Sequence, residues 1–193
     1  MGKTYHQNLE QLVNEIAQNP VTQGLQFANN INSVGGIGFF THTASKAHDE
    51  RYLEVILGVP DNLDEKIDFR TSVDQLFSKY GPELLSVLSS DVEIYKEKNV
   101  AGYGLNFSWR STSRASSGPR YMIKRAVIYI LKEEVRRFLT QQIRQRDLLG
   151  RSVIFAIEGE GSARRIRYIP PALKREVRPP TAEEAVEKSA GAP

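Results

Sequence analysis

The segment YMIKRAVIYILKEEVRRFLTQQIRQRDLLGRSVIFAI, residues 121–157, decides the fold, because it is the longest stretch with apolar patterning in the chain. Its centre predicts a helix over residues 133–149, since apolar side chains recur there every three or four residues. Glutamates at its first turn and Gly150 just after its last turn fit the start and end of a helix. The apolar stripe consists of Val135, Phe138, Leu139, Ile143 and Leu149.

The segment before this helix, AVIYIL at 126–131, has two interpretations. Its β-branched and aromatic residues favour a strand that is buried on both faces. A single long helix from Pro119 to Leu149 is the rival, because the same apolar residues also fit a helical stripe. Composition favours the strand. After Gly150, alternation of Val153, Phe155 and Ile157 with their neighbours predicts a second strand.

The rest of the chain supplies shorter elements. We expect a helix over 5–17, a hairpin of strands 36–44 and 51–58, and two helices over 68–90 separated by Gly81-Pro82. A second hairpin is expected from 92–97 and 103–110, followed by a loop at 111–119. A last strand at 163–169 should pair back on residues 153–158. We predict that Phe138 packs on the sheet beside Val127 or Phe155.

These elements predict an α+β fold, a single domain with a largely antiparallel sheet and helices packed on one face. Residues 1–35 would form an N-terminal helical arm and linker, and residues 36–171 the α+β domain. Residues 172–193 are polar, contain prolines and have few large apolar side chains, so a disordered tail is expected there.

Composition is that of an ordinary soluble globular protein, with 40% hydrophobic and 25% charged residues. No apolar run is long enough to predict a membrane span. If Met1 is the native start the expected location is cytoplasmic, and an extracytoplasmic location is the alternative that a removed signal would leave open. Residues 1–95 carry 6 basic against 13 acidic side chains, a net −7, and residues 96–193 carry 20 against 10, a net +10. This asymmetry fits an anionic partner, or attraction between the two halves within the fold or between subunits.

Catalytic signatures are not found in the sequence. The chain has no cysteine, which excludes disulfides, thiolate nucleophiles and cysteine-ligated metals. His42, His48, Asp49 and Glu50 match no zinc spacing, and the glycine runs near residues 36 and 102 lack the arrangement of a phosphate loop. We therefore assign no catalytic, cofactor-binding or metal-binding residues, and expect no cofactor.

Basic and aromatic residues around the Ser/Gly-rich loop form the candidate site. Arginine beside aromatic side chains can hold phosphates and stack on bases, which makes this a candidate polyanion-binding surface. Its residues are Trp109, Arg110, Arg114, Arg120, Tyr121, Lys124 and Arg125.

Two functions follow as expectations. The first is a non-catalytic interaction or assembly protein, a structural component or adaptor of a larger complex, with a protein partner or self-association. The alternative is a module that binds nucleic acid or another polyanion through the basic loop at 110–125. An enzyme ranks third, because no mechanism can be named from these residues.

Overall fold

The computed structural model describes residues 2–28, 30–41, 50–60, 63–64, 67–115, 118–159 and 161–169. The fold is α+β, as predicted: one mostly antiparallel sheet with helices, and no second sheet among these residues. The tail at 172–193, predicted to be disordered, lies outside the described residues. None of the described helices is long and apolar enough to cross a membrane.

The described strands and helices follow one another in short groups along the chain. The strands are β1 (Gln26–Phe27), β2 (Ser33–Val34), β3 (Ile37–Phe40), β4 (Arg51–Gly58), β5 (Leu63–Asp64), β6 (Val100–Ala115), β7 (Gly118–Leu131), β8 (Val153–Glu158) and β9 (Arg164–Ile166). The helices are α1 (His6–Gln18), α2 (Phe69–Ser90), α3 (Val92–Lys96), α4 (Lys132–Leu139) and α5 (Gln145–Arg151).

The sheet runs in the order β2-β3-β4-β6-β7-β8-β9, with β1 paired to β4 and β5 paired to β6. The hairpins β3–β4 and β8–β9 are antiparallel, as the sequence predicts. The pair β4–β6 is parallel, which the sequence analysis missed. Parallel neighbours need a crossover connection, and here α2 and α3 supply it.

The core lies between the helices and one face of the sheet, which we call the helix face. On β6 this face carries Tyr103, Leu105, Phe107 and Trp109, all buried. They lie in one core with apolar residues of all five helices. The N-terminal helix belongs to this core, because Leu9, Leu12 and Ile16 of α1 are buried in it. We call the other side of the sheet the opposite face.

Helix α2 runs unbroken through Gly81-Pro82, where the sequence predicted two helices. Proline removes one hydrogen bond of the helix interior, but the buried stripe continues on both sides of it. Gly81 is buried, and a Cβ there would lie 2.8 Å from the Phe77 ring. The glycine therefore serves close packing of that ring rather than the end of a helix.

Residues 92–96 form helix α3, so the prediction of a strand over 92–97 was wrong. The Asp91 side chain accepts hydrogen bonds from the backbone N–H groups of Glu93 and Ile94, at 3.0 and 2.9 Å. Such an N-cap stabilises the first turn of a helix and outweighs the β-branched composition of this short segment. Helix α3 completes the crossover from β4 to β6.

The helix predicted over 133–149 is two helices, α4 and α5, with a break at 140–144. Gln141 in the break has a positive φ of 60°, which a helix does not contain. Gly150 lies within α5, which ends at Arg151 with Ser152 as its C-cap. Each short helix buries its own apolar residues in the core, Val135 from α4 and Leu148 and Leu149 from α5.

Phe138 packs on α2, 6.0 Å from the ring of Phe77, and is only partly buried. The predicted contact with Val127 or Phe155 was wrong, because the register places those two residues on the opposite face, in line with Asn106. The strand interpretation of 121–131 is confirmed: these residues belong to β7, and the long-helix alternative is excluded. Residues 111–115, expected in a loop, continue β6.

Candidate functional site

The hairpin of β6 and β7 extends beyond its neighbours in the sheet. The two strands pair continuously from Gly102 opposite Leu131 to Ala115 opposite Gly118. On one side, β4 pairs with β6 as far as Ser108, and β5 pairs with Ser111 and Thr112. On the other side, β8 pairs with β7 only from Lys124 onward. We call residues 110–125 the distal hairpin.

The outer edge of β7 carries exposed apolar side chains. None of the described strands pairs with this edge over residues 118–122, although the backbone N–H of Gly159 donates to the Ile123 carbonyl at 2.8 Å. Tyr121, Met122 and Ile123 are 68%, 45% and 56% exposed. Three consecutive large apolar residues at a strand edge are a typical site of contact with another chain.

The predicted polyanion-binding residues are divided between the two faces. Trp109 is 2% exposed, and its ring lies 5.4 Å from that of Phe69 on α2. It belongs to the core, so its ring is not exposed for stacking on a base. Lys124 is opposite Trp109 in the register and therefore on the helix face.

Three of the predicted residues share the opposite face: Arg110, Tyr121 and Arg125. All three are exposed. Arg114 pairs with Pro119 and Arg120 with Ser113 near the turn, and their side chains lie outside those that the structure describes. Residues 110–125 contain five Lys/Arg and no Asp/Glu. The distal hairpin is therefore a positively charged projection, independent of how each side chain points.

A second cluster, on the opposite face, contains residues that the sequence analysis did not select. Glu54 lies in the middle of β4, opposite Gly104 of β6, which in turn is opposite Tyr129 of β7. The Asn106 side-chain Nδ2 donates to Glu54 Oε1 at 2.8 Å, and the Tyr129 hydroxyl also donates to this carboxyl group. Tyr52 is next to this group, its ring 5.0 Å from that of Tyr129.

Glycine at position 104 makes this cluster possible. A Cβ on Gly104 would lie 2.9 Å from both Cβ and Cγ of Glu54, closer than side-chain atoms normally approach. The Glu54 side chain therefore extends over the glycine. The sequence contains a signal for the cluster, since Glu54 in RYLEVILG and Asn106 in YGLNFSW are polar residues inside otherwise apolar strands.

Burial dominates the electrostatics of the cluster. Glu54 is 3% exposed and Asn106 is 7% exposed. Desolvation raises the pKa of the Glu54 carboxyl, while the hydrogen bonds from Asn106 and Tyr129 and the charge of Arg125 oppose the rise. Desolvation likewise raises the pKa of Tyr129. Glu54 Oε2 and Asn106 Oδ1 have no hydrogen-bond partner among the residues that the structure describes. Buried carboxyl groups whose pKa is raised in this way mark candidate sites, and buried structural networks show them as well.

Metal binding finds no support in the described part of the chain, where no group of three or more His, Cys, Asp or Glu side chains could hold an ion. His42, His48 and Asp49 lie outside the described residues. Glu50, the fourth residue of that group, is exposed.

No family model, curated protein or solved structure matches this chain. Its class therefore follows from the molecule alone: an α+β protein with a projecting basic hairpin and a buried polar cluster on the opposite face of its sheet. The hairpin offers a contact surface, and the cluster offers a titratable group that is shielded from water.

Proposed function

We propose that this protein is a non-catalytic interaction or assembly component that contacts its partner through the distal hairpin. The observation that carries the proposal is the β7 edge at 118–122, which none of the described strands covers. Exposed Tyr121 and Met122, followed by Ile123, give this edge an apolar surface. An extended segment of a partner can add to such an edge. Backbone hydrogen bonds would supply affinity, and the apolar side chains would supply specificity.

The positive charge of the distal hairpin restricts which kind of partner can bind to it. Five cations and no acids over residues 110–125 make antiparallel pairing of two copies of this edge unfavourable, because like charges would meet. A partner strand with acidic residues beside its apolar ones is complementary. The first half of a second copy, with its net −7, also has complementary charge. Complementary charges would raise the association rate and fix the orientation of binding.

Size-exclusion chromatography with light scattering, at low and high salt, tests the proposal. We expect association with a second copy or with a purified acidic partner, and we expect the double variant Tyr121→Ser with Ile123→Ser to lose it. Ile31→Ser is the matched control, because Ile31 is 97% exposed but lies far from the hairpin in the chain. A strictly monomeric protein with no partner recovered by pull-down, or equal association of both variants, would refute the proposal.

Binding of single-stranded nucleic acid is the second candidate, favoured by the exposed Arg110, Tyr121 and Arg125 on one face of the hairpin. Binding should weaken steeply with salt, because cation contacts release counterions from the phosphates. Arg114→Glu with Arg120→Glu should abolish binding and leave the fold intact. The control is Arg164→Glu with Arg167→Glu, which removes two exposed cations from the other end of the basic half. Retention that is insensitive to salt and equal in both variants would contradict this function.

A further inference from the structure

We propose that Glu54 is a proton-binding site, in which the carboxyl group is held as the neutral acid and its Oε2–H donates to Asn106 Oδ1. The Asn106 Nδ2 already donates to Glu54 Oε1 at 2.8 Å. The Glu54 carboxylic acid and the Asn106 amide would then form a reciprocal pair of hydrogen bonds, in which each group donates one and accepts one. Nothing in the proposed interaction function requires this site.

The proposal rests on two buried side-chain oxygens that lack hydrogen-bond partners in the described part of the chain. They are Glu54 Oε2 and Asn106 Oδ1, which belong to two side chains that are hydrogen-bonded to each other. Both are acceptors while Glu54 is ionised, so neither can satisfy the other. Leaving a buried polar group unpaired is costly, and a buried charge costs more. One proton on Oε2 turns an acceptor into a donor and removes the charge, the unpaired oxygen and the unpaired amide oxygen together.

The described neighbours of Glu54 place no compensating charge in contact with Oε2. On the flanking strands Gly38 and Gly104 are opposite Glu54, and neither has a side chain. Tyr129 and Arg125 on β7 favour the ionised form, the first by a hydrogen bond and the second by its charge, while Tyr52 on β4 is uncharged at neutral pH. Burial outweighs them, and the pKa of Glu54 stays above its ordinary value of 4.5.

The consequence is a pH-sensitive element in the middle of the sheet. A group whose pKa is raised in the folded state stabilises the fold fully below its unfolded pKa, and that contribution is lost as the pH rises through the folded pKa. Stability should therefore decrease on the alkaline side of 4.5 as Glu54 ionises. Ionised Glu54 would also attract Arg125, at the base of the distal hairpin. That coupling rests on the proposed function, whereas the proton site does not.

The test combines a direct titration with an isosteric variant. Carbon-13 NMR of the wild-type Glu54 carboxyl, assigned through the neighbouring backbone, should give a pKa above 4.5. Glu54→Gln mimics the neutral acid, because its Nε2 can donate to Asn106 Oδ1. We expect Glu54→Gln to remain as stable as wild type at acid pH and to exceed it increasingly as the pH rises.

Glu133→Gln is the control, because Glu133 is exposed and its pKa is lowered by the hydrogen bond from Arg136. Its stability relative to wild type should change with the opposite sign. A Glu54 titration at or below 4.5 would overturn the proposal. So would a Glu54→Gln variant that is less stable than wild type by the same amount at every pH. If that variant does not fold, the wild-type titration alone decides the question.

Discussion

Gly102→Ala should destabilise the fold through backbone contacts that cannot relax. Gly102 lies on β6 opposite Leu131 of β7 and next to a register shift between β4 and β6. A Cβ there would lie well inside van der Waals contact of the Ile130 carbonyl oxygen, and 2.9 Å from both the Ile130 carbonyl carbon and the Leu131 Cα. All of these atoms belong to the backbone of a paired strand. The two central strands must therefore separate locally.

The size of the expected loss of stability follows from the type of atom that the new Cβ would contact. Overpacking a core with flexible neighbours costs ~1–3 kcal/mol, and here the neighbours are rigid, so we expect about 3 kcal/mol or more. That is a large share of the ~5–15 kcal/mol that stabilises a typical domain.

Gly150→Ala is the matched control, since it makes the same chemical change without any clash. Gly150 is exposed within α5, and nothing lies within 4 Å of the position of its Cβ. Alanine loses less conformational freedom than glycine on forming a helix, so we expect a gain of about 0.5 kcal/mol. The same substitution should therefore have opposite signs at the two positions.

Urea unfolding followed by circular dichroism measures both effects. With m near ~2 kcal/mol/M, the Gly102→Ala midpoint should fall by roughly 1–2 M, while that of Gly150→Ala should rise slightly. If Gly102→Ala shifts the midpoint no further than Gly150→Ala does, the pairing of Gly102 with Leu131 is incorrect, and with it the placement of β6 against β7.

Three further predictions concern core packing, a helix cap with its pH dependence, and a side-chain hydrogen bond. Phe77→Ala should cost ~3–5 kcal/mol in a urea melt, whereas Phe138→Ala should cost about half as much, because, of the two rings, only that of Phe77 is fully buried. Equal losses of stability would contradict this difference in burial. Asp68→Ala should cost ~1–2 kcal/mol at pH 7 by removing the α2 N-cap. The hydrogen bond from the Thr71 side chain holds the pKa of Asp68 below its ordinary value of 3.8. The loss of stability caused by Asp68→Ala should therefore vanish as the pH falls through this lowered pKa. A loss that persists in acid would argue against the cap. Tyr168→Phe should cost about 1 kcal/mol, since the Tyr168 hydroxyl donates to Asp74 Oδ1 at 2.7 Å; an unchanged thermal midpoint would exclude that bond in solution.

The sequence by itself determined the elements whose signals are local. Strand β4 matches the predicted bounds 51–58, and alternation also identified β8 and the antiparallel return of β9. The β-branched and aromatic composition of residues 126–131 also predicted correctly that they form a strand and not a helix. These features depend on side-chain period and on neighbours a few residues apart, which the sequence contains directly. The basic character of residues 110–125 is likewise a property of the sequence alone.

Only the tertiary structure decided the features that depend on distant partners. The parallel pairing of β4 with β6, the uninterrupted α2 and the break between α4 and α5 follow from how helices cover one face of the sheet. Trp109, expected beside a basic loop, is buried because the register turns it towards α2.

The candidate sites depend most strongly on this long-range order. The edge of β7 at 118–122 has no partner among the described strands because β8 begins to pair only at Lys124. The cluster exists because Asn106, 52 residues from Glu54 in the chain, is brought beside it by the crossover through α2 and α3. A carboxyl group is perturbed by its surroundings in space, and spacing along the chain does not reveal which residues will surround it.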